Sequence, residues 1–401
     1  MGHRRAFRER STPSSAIQRH TMSDANTFNL SKQKQSTRLV FFLTGLSMAA
    51  WAPLVPYAKS RADLSAGELG LLLLCLGAGS ILTMPIAGSL AARMGCKPVI
   101  LAAGTLACIT LPLLALLESF APLATSLFLF GAAIGTLDCT MNIQAVFIEQ
   151  MAKKNMMSGF HGIFSLGGIV GAVGISTLLT LGNTPFVSSA VAASATLALL
   201  LRASPHLLKN RAEKTGPILA IPHGLVIVLG LVCFCAFLAE GAVLDWSAVI
   251  LVETKGVASQ HAGAGYIAFA ITMTIGRLTG DRLVNRFGPS AVASVGSLIS
   301  GLGLMVAVLS PNWLGSIGGL ALLGIGCANL APIMFSQSGK QNVMPEGLAV
   351  SAISTMGYAG ILVGPAFIGF IAHAISLPFA FISVAGLLIG SALVSRMVFR
   401  K

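Results

Sequence analysis

The sequence predicts an all-α membrane protein, with twelve transmembrane helices in two pseudo-symmetric six-helix bundles. Three observations carry that prediction. Hydrophobic residues make up 55% of the 401 and charged residues only 10%, against about 25% charged in a soluble domain. The apolar residues gather into runs close to the roughly 20 residues that a spanning helix needs. Short motifs of the first half recur, in the same order, in the second.

The opening residues 1–37 stand apart. Arg4, Arg5, Arg8, Arg10 and Arg19 lie among Ser and Pro without an apolar core, which argues against a secretory signal. The segment faintly resembles a transit peptide; alternatively Met22 is the true start. On either view a disordered basic tail is expected. The spans then read as 38–58, 67–92, 98–117, 121–148, 157–181 and 185–202 for the N-terminal bundle, 38–202. The hydrophilic stretch 203–220, with Lys209, Arg211, Glu213 and Lys214, reads as a cytoplasmic linker. The C-terminal bundle, 221–401, holds spans at 221–251, 262–281, 290–309, 312–337, 348–372 and 376–398.

Loop charge sets the orientation. An even number of spans puts both termini on one side. The other side holds only Lys59, Arg61 and Lys255 out of 26 Lys and Arg residues. Positive charge collects on cytoplasmic loops, so both termini are expected in the cytoplasm. The same bias accounts for the net charge of +13 without a nucleic-acid partner. The seven Cys are scattered, six of them in apolar runs. They fit packing and show neither metal-ligand spacing nor a disulfide framework.

The two halves repeat. Arg93-Met-Gly95 is matched by Arg286-Phe-Gly288, and Ile134-Gly135 by Ile325-Gly326. Gly167 and Gly171 match Gly360 and Gly364, and Trp51 matches Trp246, all at nearly one offset. Six spans separate the copies, so both halves cross the membrane in the same sense, as parallel repeats do.

The loop after span two, Gly88 to Lys97, and its second copy, Gly276 to Pro289, resemble the signature loop of the major facilitator superfamily. The resemblance covers about residues 38–400. The first copy has Ala92 where the family usually places Asp. Three further motifs resemble the bacterial YbjJ-like inner-membrane branch, which is similar to the fucose-permease type: His161-Gly-Ile-Phe-Ser165-Leu-Gly167, Ala239-Glu240-Gly-Ala-Val-Leu-Asp245-Trp246 and Gly357-Tyr358-Ala-Gly360. The resemblance implies a secondary transporter of a sugar-like or other small polar solute, working by alternating access in the bacterial inner membrane and coupled to protons, most simply by symport. Solute, protons and the lipid bilayer are the expected partners of a monomer that needs no cofactor and no metal.

A carboxylate inside the bilayer is costly and therefore a functional candidate. Asp138 in span four and Glu240 in span seven lie mid-span and are the candidate proton-coupling pair. Asn142 and Glu149 continue the Asp138 stripe along one helix face, a face expected to line a cavity. The fucose-permease type also uses a span-four carboxylate for protons. Its second acid is in span one, where this chain has none.

Candidate solute contacts are Asn142, Trp51, His161, Asp245, Trp246, Asn329, Tyr358 and Gln337. Asp245 and Trp246 suit an outer mouth or, equally, a plain interfacial belt. His161 opens span five with Ser158 and Ser165 on its face, and suits either a structural or a solute-binding role. Asn329 is the repeat counterpart of Asp138. Gly88, Arg93, Lys97, Glu149, Arg277, Asp281, Arg282 and Arg286 form the expected cytoplasmic gate. The glycines of spans five and eleven, among them Gly174 and Gly357, allow close helix approach.

Rival classes fare worse. Thr279-Gly280-Asp281 lacks the second glycine of an intramembrane protease motif, since position 278 is Leu. No Ser–His pairing or His/Cys/Glu constellation supports an enzyme, and no Gly-Lys-Ser/Thr phosphate loop supports a nucleotide-driven pump. A proton-coupled exporter, or a ligand sensor on a transporter scaffold, is the alternative function.

Overall fold

The computed structural model describes residues 13–209, 221–258 and 261–398, with side chains from residue 29 onward, apart from Ala66 and Val398. The first half comprises α1 (Pro13–Ala50), α2 (Val55–Arg61), α3 (Ala66–Met94), α4 (Cys96–Leu114), α5 (Phe120–Ala152), α6 (Met157–Thr180) and α7 (Pro185–Ala203). The second comprises α8 (Leu225–Lys255), α9 (Ala264–Phe287), α10 (Pro289–Leu309), α11 (Trp313–Cys327), α12 (Leu330–Ser338), α13 (Glu346–Ala374) and α14 (Leu377–Val398). Span one is α1 with α2, kinked at Trp51 just before Pro53. Span ten is α11 with α12, broken at Ala328 and Asn329.

Local chemistry sets many ends. Ser65 and Glu68 form a reciprocal capping box at the start of α3, which satisfies two orphan amides. Thr184 and Asn312 cap α7 and α11. Gly95 and Gly288 end α3 and α9 at φ 85° and 81°, and α4 and α10 start at once. Only glycine adopts that backbone cheaply, so the repeated Gly in the sequence is a repeated turn in the fold.

Among the described residues, eleven helical segments are long and apolar enough to cross a membrane. The remaining long helix, α9, falls short of that measure because Arg277, Asp281, Arg282 and Arg286 lie within it. It still packs on α11, α8 and α10 as span eight. Three sequence expectations change here. Span eight runs to Phe287, not to 281, because the charged signature loop continues the helix down to Gly288. Residues 13–37, expected as a disordered tail, belong to α1; Ser36 and Thr37 are buried, and Gln144 donates to Thr37 Oγ1 at 2.9 Å. Residues 1–12 lie outside the described part. Within 203–220, the segment expected as a hydrophilic linker, Leu207 and Leu208 are buried, with Leu208 N donating to Gln144 Oε1; positions 210–220 lie outside the described residues.

Helices α1, α3, α4, α5, α6 and α7 pack on one another, as do α8, α9, α10, α11, α13 and α14. The halves meet chiefly along two seams, α6 against α9 and α3 against α13, with α12 wedged against α5 and α6. Among the described residues, the side-chain hydrogen bonds joining the halves lie, apart from that of Arg277 to Ser165, toward the end where α14 finishes, here called the terminal face. Asp281 Oδ2 accepts from Gly159 N at 3.0 Å, Asn285 donates to Asn155 O at 3.1 Å, and Gln150 donates to Gly339 O and Glu346 Oε1. Ser336 donates to Glu149 and Ser351 to Met84 O. At about 1 kcal/mol net for each neutral bond, such a set closes this face without locking it.

Candidate functional site

The interior site forms around one cation. Arg277 lies ten residues before the end of α9, about 15 Å up the helix. Its side chain is 9% exposed. Nη2 stands 3.7 Å from Glu240 Oε2 on α8, and Nη1 donates to Ser165 Oγ on α6 at 3.0 Å. The guanidinium therefore ties both halves together. Glu240 is the midpoint of α8, and its side chain is 31% exposed. Asp138, near the middle of α5, is buried and lies within electrostatic reach of Arg277.

This placement corrects the assignment of Arg277 to a cytoplasmic charge set. The extension of α9 through the signature loop lifts it into the membrane interior. A buried guanidinium there needs carboxylates to offset its desolvation, and the two mid-span acids supply them.

A polar chain leads away from Asp138 toward α6. Asn142 Nδ2 donates to the Asp138 carbonyl at 2.9 Å, and Asn142 Oδ1 lies 3.1 Å from His161 Nε2. The His161 ring stacks on Phe335 at 5.7 Å and meets Phe41 edge-on at 5.4 Å. Ser165, one turn further along α6, takes the Arg277 hydrogen bond. Tyr358 on α13 lies edge-on to Phe237 at 6.2 Å, within electrostatic reach of both Asp138 and Glu240. Glu240 and Ser165 thus contact Arg277 directly, and Asn142 links Asp138 to His161 beside them.

Other expected site residues lie elsewhere. Asn329 is buried and donates to Gly276 O at 3.3 Å, facing α9 rather than mirroring Asp138. The break in span ten turns it that way. Gln337 sits toward the terminal face, next to Ser336, with its Nε2 buried and unpartnered. Trp51 is buried at the kink of span one, with Nε1 likewise unpartnered. Asp245 is exposed five residues beyond the midpoint of α8, and Trp246 packs beside Gly369 of α13.

The terminal-face residues divide. Glu149 does not line an open cavity with Asp138; it accepts from the Met156 and Met157 amides at 2.8 and 3.0 Å and from Ser336, capping α6. Negative charge at a helix N-terminus is favourable, and Asp281 adds a second such contact from the opposite half. Gly88 lies against Ser351 and the Gly347 carbonyl, with no room for a Cβ. Arg93, Arg282 and Arg286 are exposed, and Arg286 lies over the Phe287 ring. The Lys97 backbone amide donates to Leu208 O. Arg277 forms its ion pair with Glu240 in the interior, whereas the contacts named at the terminal face are hydrogen bonds. The sequence reading missed Phe41, Phe335 and Ser336 altogether. Each lies in an apolar or mixed run, and only the fold brings it to the site.

Twelve spans in two halves, a seal at one face and a cation joining the halves at mid-depth are the architecture of a membrane transporter. The chain belongs to the Major Facilitator Superfamily, whose sequence profile matches residues 39–263 and 229–401. An uncharacterized MFS-type transporter of Yersinia pestis is 51% identical over 92% of this chain and 96% of its own length. Membrane protein MosC of Rhizobium meliloti is 32% identical, covering 88% of this chain and 87% of its own. The fold is shared with the MFS transporter FucP in the outward conformation, at TM-score 0.75 and 18% identity over 92% of this chain and 98% of that one. The proton:xylose symporter XylE shares it too, at TM-score 0.74 and 12% identity over 92% and 95%.

Proposed function

We propose that this secondary transporter carries a small polar solute together with protons, by symport, across the bacterial inner membrane with its terminal face in the cytoplasm. One observation supports this above the others: Arg277 bonds Ser165 in one half and pairs with Glu240 in the other, with Asp138 in reach. A single guanidinium neutralises one carboxylate; a proton is needed for the second. The N-terminal half (38–202) and the C-terminal half (221–401) then rock about this site. The seal at the terminal face corresponds to a state open to the outside. Solute entering from there passes Asp245 and Trp246 and meets Glu240, Tyr358 and the His161–Asn142 pair, with Trp51 packed at the kink of span one. Protonation of Glu240 or Asp138 lowers the cost of passing through the occluded state, because no uncompensated charge is left buried.

FucP and XylE are both proton symporters of sugars, which agrees with this reading at the level of fold. The test is solute uptake into proteoliposomes driven by an inward proton gradient. Uptake that collapses with the gradient and is lost in Asp138→Asn/Glu240→Gln supports symport. Uptake that ignores the gradient, or coupling that survives in the double variant, rejects it.

A further inference from the structure

We infer that the transported solute bears a carboxylate and that Arg277 is the group that binds it. This deepens the transport reading above and rests on it. Arg277 is under-satisfied where it lies. Of its five donors, Nη1 has Ser165, Nη2 has Glu240 only at 3.7 Å, and Nε is buried with no partner. A closed guanidinium–carboxylate contact measures about 2.7–2.9 Å. The pair is therefore in contact as charges, and the fork is not filled.

The two partners also differ in how firmly they are held. The guanidinium is 9% exposed and pinned across the seam by Ser165; the Glu240 side chain is 31% exposed. The carboxylate is the more exposed partner, so it is the one a solute can replace. When Glu240 swings aside, the Nε and Nη2 edge faces the incoming group, and that planar edge matches a carboxylate in two-point contact. An amine would instead have to displace the pinned guanidinium. A neutral polyol offers no charge to replace that of Glu240.

The exchange accounts for the proton as well. The solute carboxylate takes the place of Glu240 on Arg277, and Glu240, left without its cation, takes up a proton. Anion and proton then enter together with no net charge added to the interior. Asp138, in reach of the same cation, offers the proton a second seat.

Thermal stabilisation of the purified full chain by matched probes tests this: D-galacturonate against D-galactose, D-gluconate against D-glucitol, and glycerate against glycerol, each at acidic and neutral pH. Protection by at least one acid and not by its neutral partner is expected. Arg277→Lys, which keeps the charge but loses the fork, weakens that protection by about 10-fold or more in apparent affinity. Glu240→Gln strengthens it at neutral pH and removes most of its pH dependence. Protection by neutral members alone, acid protection undiminished in Arg277→Lys, weaker acid binding in Glu240→Gln, or no protection by any probe would each overturn the inference. The two readings fail separately. Proton-driven flux of a neutral sugar sinks the carboxylate and leaves symport standing. Acid binding without proton-driven flux does the reverse.

Discussion

The two seams between the halves are built differently. The α6–α9 seam is polar: Asp281 takes the Gly159 amide, Asn285 takes the Asn155 carbonyl, and Arg277 reaches Ser165. The α3–α13 seam relies on close approach: Gly88 lies on Gly347 and Ser351, and Gly77 lies on Leu362. Ser351 to Met84 O, at 2.7 Å, is its one side-chain hydrogen bond among the described residues. A polar seam changes energy when a proton or an anion arrives. A small-residue seam changes only with distance, so it serves as a bearing. The difference assigns chemical sensing to one seam and mechanical guidance to the other.

The contrast can be broken at its strongest point first. Arg277→Ala strips the polar seam of its cation and leaves Glu240 without its ion-pair partner. A loss of about 3 kcal/mol is expected, read as a large fall in melting temperature together with abolished uptake. A smaller effect follows at the bearing. In Gly88→Val the new side chain meets Ser351 and the Gly347 carbonyl. Overpacking costs about 1–3 kcal/mol in the sealed state. Spin labels on the terminal ends of α3 and α13 should move apart, while proton dependence stays as in the wild type.

Asp281→Asn sharpens the polar side. It weakens the charge-assisted contact to Gly159 by about 1 kcal/mol and should raise the reactivity of a cysteine placed near Asn155 from the terminal face. Ser351→Ala is the mildest, at most about 1 kcal/mol, and should leave uptake near normal. A strong, pH-dependent defect in Ser351→Ala would erase the distinction between the seams.

Much of this was legible in the sequence. Twelve apolar runs, the repeated Arg–x–Gly turn and the two mid-span acids Asp138 and Glu240 follow from composition and helix length alone. Arg277 was not placed correctly, because a charged stretch reads as loop until its helix is seen to continue to Phe287. Asn329 had the right repeat position, yet the break in span ten turned it toward Gly276; no periodicity in the sequence marks that break. The aromatic clamp of Phe41 and Phe335 around His161 joins residues far apart in the chain. Such contacts are set by tertiary packing, to which a single sequence gives no access.

The account turns on Glu240 giving up Arg277 and taking a proton. That exchange is measured most directly as proton uptake on solute binding, followed with a pH-indicator dye on purified protein in weak buffer. Wild-type protein should take up a proton as solute binds, and Glu240→Gln should bind solute with most of that uptake gone. Equal proton uptake in both proteins would contradict the account.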